Sequence, residues 1–258
     1  MSLPHFYLDK QIIELETQPE FSLRLGDDDL KHAKVLRLAP GEHIAVVDAQ
    51  QDYFECEIVS FDASYPVVRI AQHLDDDARP FVVLIQGLAK GDKMETIIRH
   101  ATEVGVQAFV PFACERAIVK LDDKKARAKK ARWEAIAKSA AMQSGQPAIP
   151  EVCMPKRLDE VCELIKNAHA VLVCWEEAPE TARLAEALHG ALAAQRTPCE
   201  DARIVVVVGP EGGLTRLEID KLLAANAYAS LITLGPSILR TETAGVVAPA
   251  LVLYELRR

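Results

Sequence analysis

A chain of 258 residues, half of them apolar and 26% charged, has ordinary globular composition and enough length for one large core or two smaller ones. Six cysteines without a Cys-x-x-Cys pair or a neighbouring histidine pattern argue against a zinc site and suit a reducing compartment. The chain starts with neither a basic segment nor an apolar leader, and no apolar run reaches membrane-spanning length. The expectation is a soluble cytoplasmic protein with no metal and no membrane partner. The net charge of −8 is uneven: residues 1–75 hold 6 Lys/Arg against 14 Asp/Glu, whereas residues 116–132 hold 8 against 2. Such a local positive patch attracts a polyanion, because screening confines phosphate attraction to roughly 10 Å. The same patch also fits a solvated helix face.

The first 75 residues predict strands at His5–Leu8, Phe21–Leu25, His43–Asp48, Tyr53–Phe61 and Val67–Ala71. Tyr53–Phe61 comes close to two-residue alternation, the pattern of a sheet with one wet face. One helix interrupts them, capped by Asp27 or Asp28, with Leu30, Ala33 and Leu36–Leu38 inward and Pro40-Gly41 at its end. This is the pattern of a small β-barrel. Arg24, His32, Lys34 and Arg37 cluster within it, as a phosphate-contacting edge or as solvated surface. Residues 72–80 are polar and predict a linker.

Beyond the linker the pattern changes. Apolar strands are predicted at Phe81–Gln86, Gln107–Pro111, Ala170–Cys174, Ile204–Val208 and Ser230–Leu234. They alternate with helices at Asp92–Val104, Asp123–Gln143, near Thr181–Ala194, at Arg216–Asn226 and at the end of the chain. Met94, Ile97, Ile98, Ala101 and Val104 mark the inner face of the first helix, and Trp133, Ile136 and Ala140 that of the second. Alternation of this kind predicts an α/β fold with a mostly parallel sheet covered on both faces.

Two stretches carry the chemistry. In the first, Ile204–Val208 breaks at Gly209-Pro210-Glu211-Gly212-Gly213, and Thr215 with Glu218 forms a capping box that starts the next helix at Arg216. Loops at the carboxyl ends of parallel strands are where such sheets bind ligands, and this one is held between a buried strand and a capped helix. It matches neither G-x-G-x-x-G nor G-x-x-x-x-G-K-[ST], which lowers dinucleotide and triphosphate readings. In the second, Leu234-Gly235-Pro236-Ser237-Ile238-Leu239 leads to Arg240-Thr241-Glu242-Thr243-Ala244. Thr241 or Thr243 can cap the last helix, and Glu242 suits its positive end. Arg240 can bind phosphate, a carboxylate or developing charge, or pair with Glu242. Gly245 and Pro249 predict a bent last helix.

These two motifs resemble the ribosomal RNA small subunit methyltransferase E family of the SPOUT superfamily. Residues 87–95, 101–106, 111–117 and 32–38 extend the resemblance nearly end to end. The resemblance implies a PUA-like, RNA-binding β-barrel domain over residues 1–74. It also implies a SPOUT-type trefoil-knotted α/β methyltransferase domain over residues 75–258, acting as a homodimer. The cofactor would be S-adenosylmethionine, leaving as S-adenosylhomocysteine, held by Val173, Trp175, Gly209–Gly213, Leu234, Gly235, Ile238, Leu239, Thr243 and Ala244. The implied reaction is methylation of N3 of uridine 1498 in 16S ribosomal RNA of the 30S subunit.

Uridine N3 must lose a proton, and Arg240, always charged, can stabilise the resulting anion but not accept the proton. Glu242 is the nearby carboxylate, as a base or as an orienting or capping group. RNA contacts would come from Arg24, His32, Lys34, Arg37, Lys90, Arg116, Lys120 and Arg132. Gln146, Ser237 and His100 stand where relatives commonly carry arginine, arginine or another polar residue, and lysine. Other readings of the same chain are a knotted methyltransferase for another RNA nucleoside and a non-catalytic ribosome-assembly factor. The presence of Arg240 and Glu242 favours the enzyme.

Overall fold

The computed structural model describes residues 3–74 and 79–257. They form two compact units, one from the described residues of Met1–Asp77 with Ala141–Ala148, the other from the rest.

The first unit is a five-stranded sheet. Its strands are β1 (His5–Tyr7), β2 (Phe21–Ser22), β3 (His43–Val47), β4 (Tyr53–Asp62) and β5 (Tyr65–Leu74), in the order β1-β3-β4-β5-β2. β1 runs parallel to β3 and the other pairs are antiparallel. The alternation along β4 puts Phe54, Cys56 and Ile58 inside, against Phe6, Ile44 and Val68. Ala141–Ala148 groups with this unit, and the Tyr7 hydroxyl donates to the Gln146 carbonyl within it.

Three local expectations change here. Helix α1 (Asp27–Leu36) is preceded by Gly26 rather than capped by an aspartate side chain, and Arg37 in the left-handed region closes it before Pro40. Ala33 alone of the predicted inner face is fully buried, and Leu36 is exposed. The strand β5 continues through Gln72, whose side chain donates to Glu55 at 2.7 Å, so the predicted linker begins later. Residues 75–78 of that linker lie outside the described residues.

The β4–β5 hairpin turns on Ala63 (φ 47°) and Ser64 (φ 86°). Two successive positive angles are the geometry of a turn that favours Asn-Gly, and each costs a residue with a Cβ about 1 kcal/mol. Ala63→Asn with Ser64→Gly is therefore expected to raise the denaturation midpoint, corresponding to about 1 kcal/mol. An unchanged or lower midpoint in a urea titration refutes this.

The second unit has a six-stranded sheet of β6 (Phe81–Gly87), β7 (Ala108–Phe112), β8 (Glu151–Val152), β9 (Ala170–Cys174), β10 (Arg203–Val208) and β11 (Ala229–Ile232). The order is β11-β9-β10-β6-β7-β8 and every pair is parallel. The helices are α2 (Lys93–Val104), α3 (Asp123–Ser144), α4 (Leu158–Ile165), α5 (Leu184–Gln195), α6 (Arg216–Ala225) and α7 (Thr241–Leu256). This is the α/β class read from the alternation of elements.

Met94, Ile97, Ile98 and Ala101 of α2 and Trp133 and Ala140 of α3 are buried, while Val104 and Ile136 are half-buried. β8 and α4 were not predicted. A two-residue strand has no readable period, but Leu158, Val161, Cys162 and Ile165 keep helical spacing, and Val161 and Ile165 are buried. Among the described residues no helix is long and apolar enough to cross a membrane.

Helix α7 runs as one helix through Pro249 and packs on α2, β6 and β10. Gly245 owes its place to that packing. A Cβ there would lie 2.6 Å from Gln86 Oε1 and 3.0 Å from Ile97 Cγ2, so only a glycine lets the helix sit this close.

Candidate functional site

The capping box forms as read: Glu218 N–H donates to Thr215 Oγ1 at 3.2 Å, and Thr215 N–H to Glu218 Oε2 at 2.7 Å. Glu218 is buried, and its other oxygen accepts the Glu115 amide at 2.8 Å. One side chain thus starts α6 and anchors the segment after β7. The loop between β10 and α6 closes with Gly213 N–H on the Pro210 carbonyl at 2.9 Å. Arg116 lies across it, its guanidinium donating to the carbonyls of Gly212 at 3.2 Å and Leu214 at 3.4 Å. Arg116, predicted to face phosphate, is exposed and also braces this loop.

The second loop starts earlier than predicted, because β11 ends at Ile232 and Thr233 and Leu234 already leave the sheet. Thr241 does not cap α7; the N-cap is Arg240, with no side-chain cap bond. The Thr241 hydroxyl instead donates to the Gly209 carbonyl at 2.7 Å and accepts from Gln86 Nε2 at 2.9 Å. Three elements, the end of β6, the first loop and the start of α7, meet on one buried hydroxyl. Gln86 was missed by sequence reasoning, although a lone amide closing an otherwise apolar strand was a signal.

Glu242 does not pair with Arg240. Its Oε2 lies 3.1 Å from Lys93 Nζ, and the same ammonium lies 3.2 Å from Glu211 Oε1 in the first loop. Lys93 was also missed. A lysine in the first turn of a helix meets the positive end of the helix dipole, so its presence there hints at carboxylate partners.

Both carboxyls titrate below their ordinary range. For Glu242 its own backbone amide is the largest cause, opposed by burial and reinforced by Lys93 and Arg240. For Glu211 burial pushes upward, and its own amide, Lys93 and the Lys90 amide outweigh it. Lys93 in turn is raised by Glu242 and then by Glu211. A carboxylate so stabilised is a weaker base than an ordinary one, which disfavours Glu242 as the proton acceptor.

The remaining predicted residues divide. Leu234 and Leu239 are half-buried against the core, Gly235 (φ 116°) and Ile238 are exposed, Ala244 is buried and Thr243 exposed. The backbone N–H groups of Ile238 and Leu239 donate to nothing among the described residues. Val173 is wholly inside the sheet, paired with Val207 and Leu231, so its side chain is core. Trp175 is half-buried with the Arg216 guanidinium 5.3 Å above its ring. Arg240 is exposed and makes no ion pair among the described residues.

Of the basic run, Arg132 and Lys129 are tied to Glu95 at 2.7 and 3.7 Å and Lys130 to Glu134, while Lys120 stays exposed. Lys90 is exposed, with its backbone amide on Glu211 at 3.2 Å. In the first unit Lys34 and Arg37 are exposed, Arg24 lies 3.9 Å from Glu16, and the His32 ring packs 6.0 Å from Phe6. His100, one of the departures from the family pattern, lies 3.1 Å from Glu103. Burial raises the thiols of Cys56 and Cys174 to about 12 and pushes those of Cys114, Cys153 and Cys162 upward. A thiol raised in this way holds little thiolate at neutral pH, which argues against these cysteines as nucleophiles.

A parallel sheet with two Gly-Pro loops locked together at its carboxyl edge defines an α/β domain built to hold a small cofactor beside a free arginine. Residues 77–253 match the RNA methyltransferase domain family. The chain is 32% identical to ribosomal RNA small subunit methyltransferase E of Bacillus subtilis, over 98% of this chain and 97% of that one. It is 33% identical to the protein of the same name from Mycobacterium tuberculosis, over 86% and 82%. The crystal structure of ribosomal RNA small subunit methyltransferase E from Neisseria gonorrhoeae bound to S-adenosyl methionine superposes with a TM-score of 0.75. It covers 96% of each chain at 27% identity. The chain belongs to the ribosomal RNA small subunit methyltransferase E family.

Proposed function

We propose that this chain methylates N3 of uridine 1498 in 16S ribosomal RNA, using S-adenosylmethionine bound between the two Gly-Pro loops. The observation that carries this reading is the joining of those loops by Gln86, Thr241 and Lys93, with Arg240 beside them and in no ion pair among the described residues. The free Leu239 amide and the half-buried Leu234 and Leu239 side chains suit an adenine ring, and the backbone of Gly209–Gly213 suits the ribose and amino-acid portions. Trp175 and Ala244 flank the same loops, and Val173 contributes only through its backbone.

When bound, the cofactor supplies a methyl group on a sulfonium, already activated for attack. The chain's own part is to hold the uracil with its Watson–Crick edge free and to stabilise its anion. Arg240 faces the negative charge on the uracil carbonyls, and Glu242, held ionised by its amide and Lys93, keeps to a structural role.

The strand order supports a trefoil knot. The chain leaves the edge strand β11, yet α7 begins against Gly209 after β10 and Gln86 at the end of β6, so residues 234–240 cross the carboxyl ends of β9 and β10. We assign residues 1–74 to a PUA-like RNA-binding barrel, with Arg24, His32, Lys34 and Arg37 on phosphate. Lys90, Arg116 and Lys120 serve the same role in the domain of residues 75–258; Arg132, tied to Glu95, contributes less. The protein acts as a cytoplasmic homodimer on the small subunit.

Small-subunit RNA from a strain lacking this protein, incubated with it and S-adenosylmethionine and then mapped by nucleoside, tests the reading. Methylation of N3 at uridine 1498 is expected. Binding without transfer would make the chain an assembly factor, and a methyl group on another nucleoside would reassign its target.

A further inference from the structure

Arg240 and Glu242 stand two residues apart at the start of one helix, with opposite charges and no bulky group between them. Arg240 acts electrostatically on Glu242, and a direct ion pair between them would take the guanidinium away from any substrate. Lys93 prevents it. Its ammonium reaches Glu242 from the first residue of α2 and holds Glu211 with its other side.

The Glu242 oxygen concerned is buried and has no aligned hydrogen bond, so at that oxygen the contact is this ion pair, while the residue's own amide steadies the carboxylate as a whole. A buried carboxylate oxygen deprived of its cation is strongly driven toward another. The other cation that acts on Glu242 is Arg240.

We propose that Lys93 is a positioning residue that captures Glu242 and thereby keeps the Arg240 guanidinium free for the uracil anion. This rests on the reading that Arg240 stabilises that anion. Lys93 touches no substrate in this scheme. Its effect is on which of two partners Arg240 meets.

The mark of such a role is rescue by a second loss. Lys93→Met is expected to lower single-turnover transfer to small ribosomal subunits, at saturating S-adenosylmethionine, about tenfold or more. Adding Glu242→Gln removes the competing carboxylate, and the double variant is expected to transfer about tenfold faster than Lys93→Met alone. Glu211→Gln, which leaves Lys93 on Glu242, is expected to cost less than Lys93→Met.

A double variant as slow as Lys93→Met, or a Lys93→Met enzyme with unchanged transfer, overturns the proposal. Should Lys93→Met not fold, Lys93→Arg retains a cation and is expected to keep transfer within about threefold; a loss beyond tenfold in that folded variant overturns it equally. Arg240→Ala assayed in parallel separates the two ideas. If Arg240→Ala is inactive and Lys93→Met is not impaired, the capture alone fails; if Arg240→Ala is active, the underlying reading fails with it.

Discussion

Arg240→Ala is expected to reduce methyl transfer by about a hundredfold or more while leaving S-adenosylmethionine affinity within a few-fold. Removal of one preorganised group that faces developing charge typically costs that much in rate. The expectation follows from where the side chain is and what it lacks. Arg240 holds the N-cap of α7, where backbone bonds from Thr243 at 2.9 Å and Ala244 at 2.8 Å to its carbonyl fix the main chain. Its guanidinium is exposed and has no ion pair among the described residues, so truncation opens no cavity and orphans no buried partner there. The loss should therefore fall on the rate and not on folding. Single-turnover transfer and calorimetric titration of the cofactor check both halves, and a near-normal rate removes Arg240 from the chemistry.

The second large effect is expected at Gly87. A Cβ there would lie 2.5 Å from Pro210 Cδ and 2.8 Å from the carbonyl carbon of Gly209. The obstructing atoms are backbone and a proline ring, which cannot swing aside as a flexible side chain would. β6 and β10 are paired in register up to Gln86 opposite Val208, so the sheet cannot yield either. The displacement falls on the first loop.

Gly87→Ala is therefore expected to destabilise the protein by about 1–3 kcal/mol, the usual cost of overpacking a close contact. If the loop is a wall of the cofactor site, S-adenosylmethionine affinity should fall more than about tenfold, since 1.4 kcal/mol of strain already accounts for that factor. A destabilised variant that binds the cofactor normally would show that the first loop is not that wall.

Much of this architecture is legible in the sequence, and the legible part is local. The Thr215–Glu218 box, the alternation in Tyr53–Phe61 and the apolar faces of α2 and α3 depend on residues within one or two turns of each other. What failed was of two kinds. β8 was too short to show a period, and the Ala63-Ser64 turn carries none of the residues that normally announce positive angles. Two alternatives read for the start of α7, a Thr241 cap and an Arg240–Glu242 pair, are chemically sound but lose to more distant partners, whereas Glu242 does take its place in the first turn.

The sequence by itself determined the class of fold, the place of the two loops and the family, because hydrophobic period, caps and contiguous motifs are written along the chain. Only the tertiary structure decided what joins those loops. The Gln86–Thr241 bond spans 155 positions, and Lys93 reaches Glu211 and Glu242 from the helix after β6, the neighbour of β10 in the sheet but distant from it in the chain. A polar side chain at a helix start has several partners of comparable energy within reach. Which one it meets depends on the order in which β6, β10 and α7 are laid side by side, and no local pattern encodes that order.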